Sequence, residues 1–136
     1  MRIAFLCVAN SARSQMAEGL ARAQAPDGFD IYSAGSEPTS VRPEAIDALN
    51  EIGIACSEAF SKGIDEIPLT AMDLVITLCA DEVCPMLPAE VTHRHWPLPD
   101  PAAVSDPEAR MAAFRDVRDM LQVKLRKLFA DLRTLR

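Results

Sequence analysis

Apolar residues run without interruption from Ile3 to Val8 and give way to polar Asn10-Ser11. An unbroken apolar run suits a strand covered on both faces. From Ser11 onward Met16, Leu20 and Ala23 recur at spacings of four and three, with Glu18 and Arg22 four apart, which predicts an amphipathic helix ending before Pro26-Asp27-Gly28. Phe29 to Ser33 predicts a second short strand closed by Ala34-Gly35. Pro43 to Ile52 predicts a second helix, with Ala45, Ile46, Leu49 and Ile52 on one face and Gly53 as its stop. The most strand-like segment is Leu74 to Cys79, because it is continuous and carries β-branched residues. His95 to Leu98 predicts a fourth strand. Ser105-Asp106-Pro107-Glu108 has a capping-box pattern with an early proline, and Met111, Phe114, Val117, Leu121, Leu125, Leu128 and Leu132 follow at spacings of three or four. That stripe predicts a long helix packed on the sheet.

Strands without apolar/polar alternation, interleaved with helices, predict an α/β protein: a three-layer, doubly wound parallel sheet with helices on both faces. The 136 residues are 49% hydrophobic, which predicts one globular domain over 1-136 and a core that needs no disulfide or metal. A formal charge of -6 has the wrong sign for broad contact with nucleic-acid phosphates. The longest apolar runs fall far short of the roughly 20 residues needed to cross a bilayer. The amino-terminal run is too short and lacks the cleavage site of a signal peptide, so a cytoplasmic location is expected. In a reducing cytosol, four cysteines are reactive, metal-binding or incidental rather than a structural framework.

The chemistry concentrates in Cys7-Val8-Ala9-Asn10-Ser11-Ala12-Arg13-Ser14, between the first strand and the first helix. A cysteine and an arginine separated by five residues are a weak pattern alone; the strand-to-helix setting strengthens it. Ligands of open α/β sheets bind beyond the carboxyl ends of the strands, and a short loop entering a helix gathers backbone N–H groups around an anion. A tetrahedral oxyanion would fit the backbone of Val8, Ala9, Asn10, Ser11 and Ala12. Arg13 would grip two of its oxygens, and Cys7, beside that cation and the helix terminus, would be held partly as thiolate. Ser14 is placed to donate a hydrogen bond to the sulfur. The contrary reading makes Cys7 a small buried hydrophobe, which leaves Arg13 and Ser14 unexplained.

Cys79 closes the third strand as Cys7 closes the first, so the two thiols could meet, with modest loop movement, if these strands are neighbours. Cys84, in an apparent loop bounded by Pro85 and Pro88, would reach Cys79 if that loop moves. A zinc site of Cys79, Cys84, His93 and His95 is the alternative, although one residue between the histidines is tighter than usual. Otherwise the histidines are surface or loop residues. Cys56 reads as a packing residue. Asp100, before Pro101 in a rigid loop, is either a general acid or an Asx-turn cap.

Cys7 to Ser14 continuing into Gln15-Met16-Ala17-Glu18-Gly19, with Tyr32-Ser33-Ala34-Gly35, Asp73 to Cys79, His95-Trp96 and Asp100-Pro101-Ala102, resembles the thioredoxin-coupled arsenate reductases over essentially the whole chain. These share their fold with the low-molecular-weight protein tyrosine phosphatases, which implies a four-stranded parallel sheet of order 2-1-3-4. The resemblance also implies a mechanism. Cys7 attacks arsenate held by Arg13 and the loop backbone, Ser14 tunes the thiolate and Asp100 helps a hydroxyl depart. Cys79 then attacks Cys7 and expels arsenite; Cys84 takes over the disulfide and presents it to thioredoxin. Only four residues separate Cys79 from Cys84, so glutaredoxin with glutathione stays open as reductant. Some members bind potassium through the positions of Asn10, Glu18 and Ser33 plus an acidic residue, and that acidic position is Lys62 here, whose ammonium would replace the ion. No other bound cofactor is implied, and a monomer is expected.

Two other functions use the same residues. A phosphatase would need Cys7, Arg13 and Asp100 but not Cys79 and Cys84, and Ala102 stands where the tyrosine phosphatases carry aromatic residues. A non-enzymatic thiol sensor or metal-binding module would make Arg13 and Ser14 superfluous.

Overall fold

The computed structural model describes residues 1–55, 60–80 and 87–134, with residues 133 and 134 described for their backbone only. Cys56 and Cys84 lie outside the described residues. Four strands, β1 (Arg2–Cys7), β2 (Asp30–Gly35), β3 (Leu74–Thr77) and β4 (His93–His95), form one parallel sheet in the order β2-β1-β3-β4. β1 and β3 are hydrogen-bonded on both sides, and from Ile3 to Cys7 and throughout β3 every residue is buried. That is why both read as unbroken apolar runs.

Three helices, α1 (Arg13–Gln24), α2 (Pro43–Asn50) and α3 (Pro107–Thr134), contribute to one core layer with Ile3, Phe5, Leu74 and Ile76. α1 supplies Met16 and Leu20, α2 supplies Leu49, and α3 supplies the expected stripe from Phe114 to Leu132. On the opposite face, Ala4, Leu6, Ala34 and Val75 are covered by Ile67, Met72 and Val91, from segments that include the short 3-10 turns Ile64–Glu66 and Leu69–Ala71. The sheet order matches the expectation drawn from the resemblance.

Three local expectations shift. The fourth strand is His93–His95, two residues earlier than the apolar pattern suggested, because backbone pairing of Val75 to His93 and Thr77 to His95 creates it while all three of its residues stay exposed. The histidines are therefore strand residues at the sheet edge. α3 is capped by Asp106 rather than Ser105: its Oδ2 accepts the N–H of Ala109 at 2.9 Å, with Pro107 as first helical residue. α1 begins at Arg13, which leaves residues 8–12 as a loop between strand and helix.

Candidate active site

The loop from Val8 to Ala12 surrounds a cavity of about 200 Å³ lined by Cys7, Val8, Ala9, Ser11, Ala12, Arg13 and Asp100. It stands at the carboxyl end of β1, where an open parallel sheet holds ligands. The loop carbonyls face elsewhere: Val8 O accepts from Glu37 N at 2.9 Å, Ala9 O from Thr39 N at 3.1 Å and Ser11 O from Arg42 N at 2.9 Å. Asn10 O accepts from Gln15 Nε2 at 3.2 Å and from the Ser61 hydroxyl at 2.7 Å. In a trans peptide the following N–H points opposite to the carbonyl, so the N–H groups of Ala9, Ser11 and Ala12 turn toward the cavity their residues line. The result is a concave array of donors suited to an anion.

Gly35, at the end of β2, lets the loop lie this close. A Cβ there would run into the Val8 carbonyl and stand 2.8 Å from Asn10 N. Only a residue without a side chain fits.

Cys7 is 2% exposed, and its Sγ lies 2.8 Å from Ser14 Oγ. Chemistry settles the direction of that contact. The backbone N–H of Lys62, which only donates, lies 2.8 Å from Asn10 Oδ1. Asn10 Nδ2 therefore faces the other way and donates to Ser14 Oγ at 2.7 Å and Ser33 Oγ at 3.0 Å. Ser33 passes its own proton to Glu18 Oε1 at 2.8 Å, since a carboxylate only accepts. Ser14, already accepting from Asn10, has its hydroxyl hydrogen free for the sulfur.

Arg13 is 4% exposed, and its Nη1 donates to the carbonyls of Leu98 at 3.0 Å and Leu78 at 3.4 Å. These two carbonyls, after β4 and β3, tether the guanidinium at the mouth of the loop. Arg13 Nη2 lies 4.0 Å from Asp100 Oδ2, while Asp100 Oδ1 accepts from Ala102 N at 3.0 Å. Asp100 thus caps the turn Pro101–Ala103 and also lines the cavity, so the two readings of this residue are compatible.

Cys79 is fully buried, two residues past the end of β3, the direct neighbour of β1. Cys84 lies outside the described residues, so only two of the three proposed relay cysteines are placed. His93 Nε2 and His95 Nδ1 both meet Thr77 Oγ1, at 2.8 and 2.7 Å. Among the described residues, no group of three or more His, Cys, Asp or Glu side chains is arranged to hold a metal ion. Asn10, counted among the loop's binding residues, is absent from the cavity wall; its side chain turns back to Ser14 and Ser33. The Lys62 ammonium lies 3.6 Å from Glu18 Oε1 and 2.9 Å from the Phe60 carbonyl.

Sequence reasoning missed Gln15, Ser61, Gly35 and the carbonyls of Leu78 and Leu98. Gln15 and Gly35 stood within quoted motifs, but nothing in their spacing signalled contact with the loop.

A parallel 2-1-3-4 sheet with a cysteine-to-arginine loop after its first strand defines a phosphatase-like α/β protein. The chain belongs to the low molecular weight phosphotyrosine protein phosphatase family, whose sequence model matches residues 2–135. Within that family its resemblance is to arsenate reductases. It is 46% identical to an arsenate reductase of Halalkalibacterium halodurans over 132 residues, covering 95% of this chain and 94% of the relative. Against an arsenate reductase of Bacillus subtilis the identity is 44% over 132 residues, with the same coverage of 95% and 94%. Among solved structures, an arsenate reductase in its oxidised state superposes with a TM-score of 0.80 at 32% identity, covering 96% of this chain and 97% of the other. A thioredoxin-dependent arsenate reductase of Corynebacterium glutamicum gives a TM-score of 0.78 at 28% identity, covering 99% of this chain and 63% of that one.

Proposed function

We propose that this protein reduces arsenate to arsenite through a relay of Cys7, Cys79 and Cys84 recycled by thioredoxin. The observation that carries the reading is the Cys7 sulfur beneath an anion-sized cavity, with the Ser14 hydroxyl 2.8 Å from it and Arg13 at the rim. The relatives, named as arsenate reductases and in one case as thioredoxin-dependent, support the choice of substrate and reductant.

The electrons balance in three steps. The Cys7 thiolate attacks arsenic(V) and a hydroxyl leaves as water, its proton coming from Asp100. The Cys79 thiolate then attacks Cys7 Sγ. As the S–S bond forms, the S–As electron pair stays on arsenic and arsenite departs as arsenic(III). The Cys84 thiolate attacks Cys79 and releases Cys7, and an external dithiol reduces the Cys79–Cys84 disulfide. The loop N–H groups and Arg13 hold the oxyanion throughout.

Potassium has no step here. An ammonium beside Glu18 already neutralises the carboxylate that would hold such an ion, so the residues present do not suit it. Lys62 supplies that charge in this reading. One domain, a monomer and a cytosolic setting belong to the same reading.

The test is NADPH oxidation by thioredoxin reductase and thioredoxin with the reduced protein and arsenate, comparing wild type with Cys84→Ser and using phosphate as control anion. Arsenate-dependent consumption that collapses in the variant supports the relay. Activity only with glutaredoxin and glutathione keeps the reductase but discards thioredoxin. Silence with both, alongside phosphomonoester hydrolysis, overturns the reading in favour of a phosphatase. Arg13→Ala removes turnover in a reductase, whereas a pure thiol binder would keep its ligand.

A further inference from the structure

Asn10 has φ 48°, the one positive value outside glycine among the described residues. A left-handed conformation is a small and costly well for a residue with a side chain, so contacts around Asn10 have to hold the loop in it. The peptide they must hold joins Asn10 to Ser11. Its carbonyl must point away from the cavity for the Ser11 N–H to point in; reversed, it would aim a carbonyl oxygen at the bound anion.

Gln15 is where that peptide is held. The residue is 4% exposed, on the first turn of α1. Its Nε2 reaches Asn10 O at 3.2 Å, Asn10 Oδ1 at 2.9 Å and Phe60 O at 2.9 Å. All three partners are acceptors, so the amide orientation is settled: turned over, Oε1 would face three oxygens. Two hydrogens serve the three, with the Asn10 carbonyl and side-chain oxygens sharing one. Gln15 Oε1 is buried and has no hydrogen-bond partner among the described residues. Its amide is thus committed to the loop through the nitrogen alone. The second grip on Asn10 O is the Ser61 hydroxyl at 2.7 Å.

The bond to sulfur is held separately. Asn10 Oδ1 takes the Lys62 backbone N–H at 2.8 Å as well as Gln15 Nε2 at 2.9 Å, so a main-chain donor still fixes the Asn10 amide, with Nδ2 toward Ser14, when the Gln15 donor is removed. The Asn10 carbonyl has no such main-chain hold: its two donors are the side chains of Gln15 and Ser61.

We propose that Gln15 is a positioning residue that keeps the Asn10–Ser11 peptide turned with its N–H toward the oxyanion, so that anion affinity depends on it while Cys7 reactivity does not. This deepens the oxyanion-loop reading and rests on it.

Gln15→Met tests the idea because it keeps the length and volume of the side chain and removes only the donors. Inorganic phosphate binding to the reduced protein is measured by calorimetry, the alkylation rate of Cys7 by iodoacetamide with mass-spectrometric readout, and steady-state arsenate kinetics alongside. The phosphate Kd is expected to rise about tenfold, the cost of one strong anion contact. Cys7 alkylation should stay within about twofold of wild type, and the arsenate KM should rise with little change in kcat. A merely structural role would lower the melting temperature and leave the phosphate Kd alone, and that result overturns the proposal. If Gln15→Met fails to fold, Ser61→Ala removes the other bond to the same carbonyl, and an unchanged Kd there overturns it equally. Absence of phosphate binding by the wild type would remove the oxyanion-loop reading itself and this inference with it.

Discussion

The backbone N–H of Lys62 donates to Asn10 Oδ1 at 2.8 Å, and this bond sets the direction of the hydrogen bonds that end at Cys7. A main-chain donor cannot reverse, so the Asn10 amide cannot turn over. Ser14 then accepts from Asn10 and keeps its hydroxyl hydrogen available to the sulfur, while Ser33 accepts from Asn10 and donates to Glu18.

Asn10→Asp should therefore slow Cys7 without disturbing the shape of the loop. Aspartate has no donor, so the Ser14 hydroxyl would turn to the new carboxylate and leave the sulfur. The loss is about one hydrogen bond to a charged group, about 1.5 kcal/mol or roughly tenfold in the alkylation rate of Cys7 at neutral pH. A rate equal to wild type would show that Ser14 does not donate to the thiol.

Gly35→Ala should damage both stability and the site. The added methyl meets backbone on two sides, the Val8 carbonyl and Asn10 N, neither of which yields as a flexible side chain would. Overpacking of this kind costs about 1–3 kcal/mol, and here the strain falls on the anion loop. Chemical denaturation and phosphate affinity should both decline; a shift in stability alone would mean that β2, not the loop, gives way.

Exchange of potassium for sodium should change neither turnover nor melting temperature. The Lys62 ammonium, 14% exposed at its side chain, lies 3.6 Å from Glu18, and in the proposed reading it takes the place of a monovalent cation. A clear potassium-specific rise in activity or melting temperature would sink this. Lys62→Asp is the companion variant, expected to lose stability until a monovalent cation is supplied.

Stability should fall in acid through contacts between α2 and α3. Hydrogen bonds from Arg115 and then Arg118, with their charges, hold Glu51 below the ordinary carboxylate value. Burial opposes ionisation of Glu44, but its backbone hydrogen bond, the bond from Arg110 and the charge of Arg42 outweigh it and the net shift is also down. A depressed folded-state value means that the unfolded chain takes up protons first. The contribution is then complete above the unfolded-state value of 4.5 and is lost as pH falls through the lower folded values. Melting temperatures from pH 7 to pH 3 should drop most steeply below pH 4.5, and Glu51→Gln should flatten that drop.

How much was legible in the chain differs from element to element. β1 and β3 announce themselves because strands buried on both faces need unbroken apolar residues, and α3 because a helix lying on a sheet needs a stripe at spacings of three or four. Cys7 ends β1 and Arg13 and Ser14 open α1 on either side of one short loop, so their meeting could be read directly. β4 was expected at His95 to Leu98 and lies at His93–His95, since His93-Arg94-His95 carries no apolar signal and is a strand only through its pairing with β3.

Local pattern and local spacing thus carried the sheet class, the long helix and the gathering of Cys7, Arg13 and Ser14 around one cavity. The chain pattern could not convey what depends on residues far apart in sequence meeting at one point. Lys62 reaches Asn10 across 52 positions, Ser61 across 51, and the Leu98 carbonyl takes Arg13 across 85. These contacts involve backbone atoms, which every residue carries, so no residue type marks them in advance. They exist because the sheet order sets the loop after β1 between the ends of β2 and β3, where neighbouring segments can turn its carbonyls outward and leave its N–H groups facing the cavity.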